Sequence, residues 1–232
     1  MFYITGDTHG DFERYFAFNS LVQPTEADTV IVLGDAGLNF HNNYTDDSRK
    51  VFVNAFPFKT FCIHGNHEAR PIHYPSYKET TFHGGTVWRE ERYPNILFAK
   101  DGEVYDFDGL KCVVIGGAYS VDKHYRLARG LPWFSDEQPS DEIKRYVEQR
   151  LAKAGHKIDV VLSHTCPLKY EPTEVFLSFI DQSSVDKSTE KWLDTIEDNL
   201  DYRKWYCGHY HTEKTIDKVQ FLYNSICELS DK

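Results

Sequence analysis

The chain lacks any stretch approaching the ~18 uninterrupted apolar residues of a membrane-spanning helix, so a spanning segment is excluded from the reading. Cysteine is scarce: Cys62, Cys112, Cys166, Cys207 and Cys227 are odd in number, scattered, and never paired as CxxC. That pattern argues against a disulfide framework and against a zinc ribbon, and leaves reduced, buried thiols as the expectation. Basic residues are in deficit, 26 Lys and Arg against 36 Asp and Glu, for a formal net charge of -10. A nucleic-acid backbone or an acidic membrane needs a cationic face, so neither is expected as a partner. The charge does not exclude a phosphate substrate, provided metal ions supply local positive charge. There is no internal repeat, low-complexity tract or Ser/Gly linker to divide the chain. Met1 to Thr5 show no basic leader or apolar signal core, and one domain over 1–232 with a cytoplasmic address is expected.

Hydrophobic residues make up 41% and charged residues 27%, enough apolar material for a packed core. Short apolar or β-branched runs recur at Phe2–Thr5, Thr29–Leu33, Thr60–Ile63, Cys112–Ile115, Val160–Leu162 and Lys204–Cys207, and each reads as a buried strand. Helical segments are expected at Glu13–Val22, Asp46–Phe56, Asp141–Ala154 and Val185–Asn199, with start signals at Ser140 and Ser184. Thr215–Tyr223 reads as two edge strands turning near Asp217-Lys218, and Lys123–Pro139 as a long irregular surface loop. The strand-loop-helix rhythm implies an α/β fold with largely parallel strands.

Every early strand ends in a polar motif. In order these are Gly6-Asp7-Thr8-His9-Gly10, Gly34-Asp35, Gly65-Asn66-His67-Glu68, Ser163-His164-Thr165 and Gly208-His209-Tyr210-His211. Open α/β sheets place binding residues in the loops beyond the carboxyl ends of their strands, so these side chains can converge. The glycines let the chain turn sharply there. A lone His or a single Gly-Asp is usually structural, whereas five such motifs at five strand ends point to a site. Asp7, His9, Asp35, Asn66, His164, His209 and His211 are too many donors for one tetrahedral ion. Imidazole, carboxylate and amide oxygen without thiolate suit Mn²⁺, Fe or Zn²⁺. Two divalent ions about 3.5–4 Å apart sharing a carboxylate can hold a bridging hydroxide and polarise a phosphoryl oxygen, which implies phosphoester hydrolysis.

With these motifs the chain resembles the calcineurin-like metallophosphoesterase superfamily, whose GD-x-H(G), GD, GNH(E), H and GH-x-H series is present from Gly6 to His211. The resemblance implies a four-layer α/β/β/α sandwich with mixed sheets. It also implies Asp7, His9 and His211 on one metal, Asn66, His164 and His209 on the other, and Asp35 bridging. His67 matches the family's non-ligand histidine, which protonates the leaving oxygen as a general acid. Mn²⁺ is the expected ion.

The boxes are similar to those of serine/threonine protein phosphatases, but the second box departs from GD-x-V-D-R-G. Leu38 stands where the orienting aspartate would be and Asn39 where the phosphate-clamping arginine would be. A bidentate phosphate contact is therefore missing. Arg70 is a candidate to replace it, or else pairs with a nearby acid. Tyr119, Lys123, Arg126 and Trp133, in and after the Gly116-Gly117 run, are candidates for substrate contacts. Expected substrates are phosphorylated small molecules, nucleotides or phosphoproteins. The rival readings are a catalytically silent metal-fold scaffold that binds partner proteins and a nuclease, the latter disfavoured by the acidic balance.

Overall fold

The computed structural model describes residues 1–232. Its strands are β1 (Phe2–Thr5), β2 (Thr29–Val32), β3 (Lys59–Cys62), β4 (Tyr77–Phe82), β5 (Gly85–Glu90), β6 (Ile96–Ala99), β7 (Val104–Phe107), β8 (Leu110–Ile115), β9 (Val160–Ser163), β10 (Lys204–Cys207), β11 (Lys214–Ile216), β12 (Val219–Phe221) and β13 (Ile226–Glu228). The helices are α1 (Glu13–Val22), α2 (Tyr44–Asn54), α3 (Lys123–Arg129), α4 (Asp141–Lys153) and α5 (Ser188–Glu197).

Two mixed sheets result. One has the order β13-β1-β2-β3-β6-β5-β4 and the other β11-β12-β10-β9-β8-β7. Strands β1, β2, β3 and β6 run parallel in the first, and β8, β9, β10 and β12 in the second. The register aligns their ends: Thr5 lies opposite Val32, and Val32 opposite Cys62. Likewise Ile115 lies opposite Ser163, and Ser163 opposite Cys207. The polar motifs therefore leave each sheet at one level.

Alternation along the strands builds the layers. Ile4, Ile31 and Phe61 of one sheet pack with Val114, Leu162 and Tyr206 of the other in the central core. Val30 and Val32 point the opposite way, onto Tyr15 and Phe18 of α1 and Val53 of α2. Val113, Val161 and Trp205 meet Val147 and Leu151 of α4 and Trp192 of α5. The fold is thus a four-layer α/β/β/α sandwich, with strands such as β2 and β9 buried along their whole length because both faces are covered. Buried polar atoms are matched locally, as where the Trp205 indole N–H donates to Ser163 Oγ at 2.6 Å. No helix is long and apolar enough to cross a membrane.

Several boundaries differ from the sequence expectation. The α2 helix starts earlier, because Asn43 caps it by accepting from the Thr45 N–H at 2.8 Å. Ser140 caps α4 as expected, but Ser184 does not start α5. It lies in a short 3-10 turn, Gln182–Ser184, whose N-cap is Asp181, and the helix begins at Ser188. The segment expected to be irregular contains α3, which ends at Gly130 with a φ of 65°. Strands β4 to β7 were not expected. Tyr77–Phe82 carries Lys78 and Glu79 on a largely exposed edge and so lacks an apolar run. The β11 and β12 hairpin sits at a sheet edge as expected, turning at Asp217-Lys218.

Candidate functional site

The loops after β1, β2, β3, β9 and β10 bring their polar side chains to one end of the sandwich. Three overlapping groups of carboxylate and imidazole atoms lie within 4.8 Å of one another: Asp7, His9 and His211; His9, Asp35 and His67; and Asp7, Asp35 and His164. Asp7, Asp35, Asn66 and His164 are buried, while His9 is partly open. His209 is placed beside His164, ring centroids 5.0 Å apart.

The local backbone is strained in favour of this convergence. His9, Asp35, His209 and His211 have φ of 49°, 49°, 65° and 48°, a left-handed conformation that costs side-chain-bearing residues roughly 1–2 kcal/mol each. Such strain concentrates at functional sites because core packing has no use for it. Two glycines serve a different purpose from the sharp turning expected of them. A Cβ on Gly65 would overlap Oδ1 of Asp35, and one on Gly208 would overlap Oδ1 of Asp7. Each glycine is needed for the close approach of a carboxylate.

The hydrogen bonds fix which atoms face the centre. Nδ1 of His164 donates to the Leu33 carbonyl at 2.8 Å, and its Nε2 lies 2.8 Å from Oδ1 of Asn66. That oxygen is oriented because the Asn66 amide donates to Ser120 Oγ at 2.9 Å. The two side chains thus meet at close range. Nε2 of His9 and Nε2 of His211 are likewise 2.9 Å apart. Asp7 Oδ1 accepts from the His209 N–H at 2.8 Å, while its buried Oδ2 faces His211 Nε2 at 3.2 Å and His9 Nε2 at 3.8 Å. Asp35 Oδ1 accepts from the His67 N–H at 2.7 Å and lies 3.7 Å from His164 Nε2, while Oδ2 lies 3.9 Å from His9 Nδ1. Carboxylate, imidazole and amide oxygen groups converging at this range suit cations, and second partners that fix ligand orientation are typical of metal sites.

Protonation agrees. Burial alone would raise the Asp7 carboxyl, but the His211 contact and the nearby His164 and His9 hold it well below the usual carboxylate range. Asp35 is also lowered, the neighbouring His164 and His67 outweighing its burial. Burial and the adjacent His164 push His209 down to about 3, so its imidazole is neutral and able to ligate. Glu68, whose side chain accepts from the Gly65 N–H at 3.1 Å, is pushed up to about 8 by burial and by Asp35. Its neutral form adds no further charge at neutral pH.

The remaining candidates divide. Arg126 is buried, pairs with Asp122 at 2.7 Å, and brings Nη2 to 2.6 and 2.8 Å from the two nitrogens of His67. Tyr119 lines the cavity that opens from the metal-ligand end. Lys123 instead lies 4.2 Å over the Trp133 ring, Trp133 donates to Glu137 at 2.8 Å, and neither lines the cavity. Arg70 is turned away as well. It pairs with buried Asp101 at 2.7 Å and donates to the Asp136 carbonyl at 3.1 Å, so it forms the structural pairing and not a phosphate contact.

Sequence reasoning did not single out Ser120, Glu171, Glu190, Tyr210 or the 171–187 segment. Ser120 and Tyr210 lie inside motifs that were noticed. The segment has no periodicity to mark it, since its short 3-10 turns repeat no apolar spacing.

The model of the calcineurin-like phosphoesterase family matches residues 1–213. One solved structure is 14% identical, with a TM-score of 0.48, covering 95% of this chain and 88% of that one. The crystal structure of a protein of unknown function from Aquifex aeolicus is 13% identical, with a TM-score of 0.38, covering 74% of this chain and 81% of that one. No curated protein matches the chain.

Proposed function

Since the chain belongs to the calcineurin-like phosphoesterase family, we propose that it hydrolyses phosphoesters with two divalent metal ions. Asp7, His9 and His211 hold one ion, Asn66, His164 and His209 hold the other, and Asp35 stands between them. The observation that carries this reading is the convergence within 4.8 Å of ligand atoms from Asp7, His9 and His211 and from Asp7, Asp35 and His164. Mn²⁺ is the working ion, and Fe or Zn²⁺ suits the same donors. When bound, the ions supply Lewis acidity at the phosphoryl oxygens and an activated water nucleophile.

The protein's own groups do the rest. Asp35 fixes the His67 backbone through its 2.7 Å contact and so sets the ring beside the centre. His67 donates a proton to the departing oxygen, which favours esters of poor leaving alcohols. Arg126 is the cation nearest that ring and is available to a phosphoryl oxygen once it leaves His67. Tyr119 borders the space for the organic part of the substrate. A silent scaffold predicts eroded ligands or a lost acid, whereas every ligand position and His67 are filled, which weighs against that alternative.

The test is hydrolysis of an aryl phosphate and of a bis-aryl diester with added Mn²⁺, by wild type and by Asp35→Asn. Metal-dependent turnover lost in Asp35→Asn is expected, and the preferred compound identifies monoesterase or diesterase. Absence of turnover with Mn²⁺, Fe²⁺, Zn²⁺, Ni²⁺ and Co²⁺ would overturn the reading in favour of the scaffold.

A further inference from the structure

The cavity of about 420 Å³ that opens from His9, Asp35, Asn66 and His67 continues along a wall of different chemistry. Val121, Val175, Phe176, Leu177, Ile180 and Val185 line it, all but Val121 supplied by the segment between β9 and α5. Phe176 lies against Tyr210, ring centroids 6.1 Å apart with 14° between their planes, which fixes one aromatic face. Loops with exposed apolar residues beside a catalytic centre mark ligand contact more often than chance exposure.

The polar groups on this wall are occupied by one another. Glu171 pairs with Lys187 at 2.6 Å. Glu190 accepts from the Thr165 hydroxyl at 2.8 Å, and that hydroxyl lies 3.1 Å from the Tyr210 hydroxyl. Lys187 is the one Lys or Arg lining the cavity, and Glu171 already neutralises it. Asp122, already paired with Arg126 at 2.7 Å, and Glu190 also border the space. A second phosphate or a carboxylate on the substrate would find no unpaired cation beyond the metal end. Gln182 and the hydroxyls of Tyr119 and Tyr210 supply neutral hydrogen-bonding groups.

We infer that the substrate is an ester of a single phosphoryl group with a compact, uncharged and largely apolar organic group, seated against Phe176, Ile180 and Val185. Resting on the phosphoesterase reading, this assignment disfavours nucleoside di- and triphosphates and sugar phosphates bearing additional charge. The apolar wall acts by removing hydrocarbon surface from water, so affinity rises with each methylene group that reaches it.

The experiment is calorimetric binding to the Mn²⁺-loaded protein of ethyl-, butyl- and hexylphosphonate, with 5-carboxypentylphosphonate as the charged counterpart. We expect affinity to tighten about two- to fourfold per methylene, and the carboxylate-tipped compound to bind at least about tenfold more weakly than hexylphosphonate. Ile180→Asp and Val185→Asp should each flatten the series. A flat wild-type series, or equal binding of the carboxylated compound, overturns the assignment. Parallel assays of phenyl phosphate hydrolysis keep the two readings apart. Turnover lost in Asp35→Asn alongside a flat series retains the phosphoesterase and removes the apolar substrate. A steep series without turnover of any ester supports the ligand class and counts against the phosphoesterase.

Discussion

Nη2 of Arg126 lies 2.6 Å from Nδ1 and 2.8 Å from Nε2 of His67, so a buried guanidinium sits against the ring that would carry a proton to a leaving group. Together with burial, this cation lowers the His67 pKa despite the opposing pull of Asp35. An anionic substrate gives Arg126 a stronger partner than a neutral imidazole, and its departure leaves His67 to Asp35 and Asp122. We predict that Arg126→Ala lowers kcat/KM on an alkyl phosphate by about 10- to 100-fold, with the larger part in KM, and that Arg126→Lys recovers little of it. His67→Ala should slow the same alkyl ester by roughly 10²–10⁴ while an aryl ester loses much less. Equal losses on both esters would remove the proton-donor role.

Arg70 has the opposite expectation. Its ion pair with Asp101, only 5% exposed at the side chain, also supports the turn after β8, because the Gly116 N–H donates to the same carboxylate at 2.6 Å. Removing one partner of a buried pair leaves an uncompensated charge and costs about 3–5 kcal/mol. Arg70→Ala should therefore lower Tm markedly while kcat and KM of the folded fraction stay at wild-type values. A specific rise in KM with unchanged Tm would return Arg70 to the substrate.

These two arginines show where sequence legibility ends. The motifs at the ends of β1, β2, β3, β9 and β10 were readable because glycine, carboxylate and imidazole recur at strand ends, a local pattern that parallel register then gathers at one level. Nothing local separates Arg70, three residues past His67, from Arg126, which reaches the same ring from a helix across the site. That choice is made by tertiary packing. The 171–187 wall was illegible for a related reason, since its apolar residues serve a cavity and need no helical or strand period. Exposed β4 was missed because polar edge strands carry little hydrophobic signal.

Metal binding should be visible as stability. An ion that binds only the folded state adds about 2.7 kcal/mol at a hundredfold excess over Kd, so Mn²⁺ should raise Tm of the wild type and a chelator should lower it. Asp35→Asn should lose most of that response. Gly65→Ala is a second probe, because its Cβ would overlap both Oδ1 and the backbone nitrogen of Asp35 without changing the identity of any ligand. It should retain the folded circular dichroism spectrum but lose the Mn²⁺-dependent rise in Tm. An undiminished rise would show that Asp35 can retreat without releasing the ions.

Glu190 gives a stability signature at a chosen pH. Its carboxyl is buried on α5, accepts from Thr165 through Oε1 and leaves Oε2 unpartnered, and burial pushes its pKa up to about 7 from the ordinary 4.5. The folded protein therefore binds this proton more tightly than the unfolded chain does. Between about pH 4.5 and pH 7 the native state holds the extra proton, so stability contributed by the neutral acid is fully present below pH 4.5 and is lost as pH rises to about 7. Glu190→Gln keeps a neutral group of similar shape at every pH. In chelator, which removes any contribution from metal, its Tm relative to wild type should climb between pH 5 and pH 7 and level off above that. A Tm difference that stays constant across this range would mean that Glu190 titrates alike in both states and that its burial is relieved by water in the cavity.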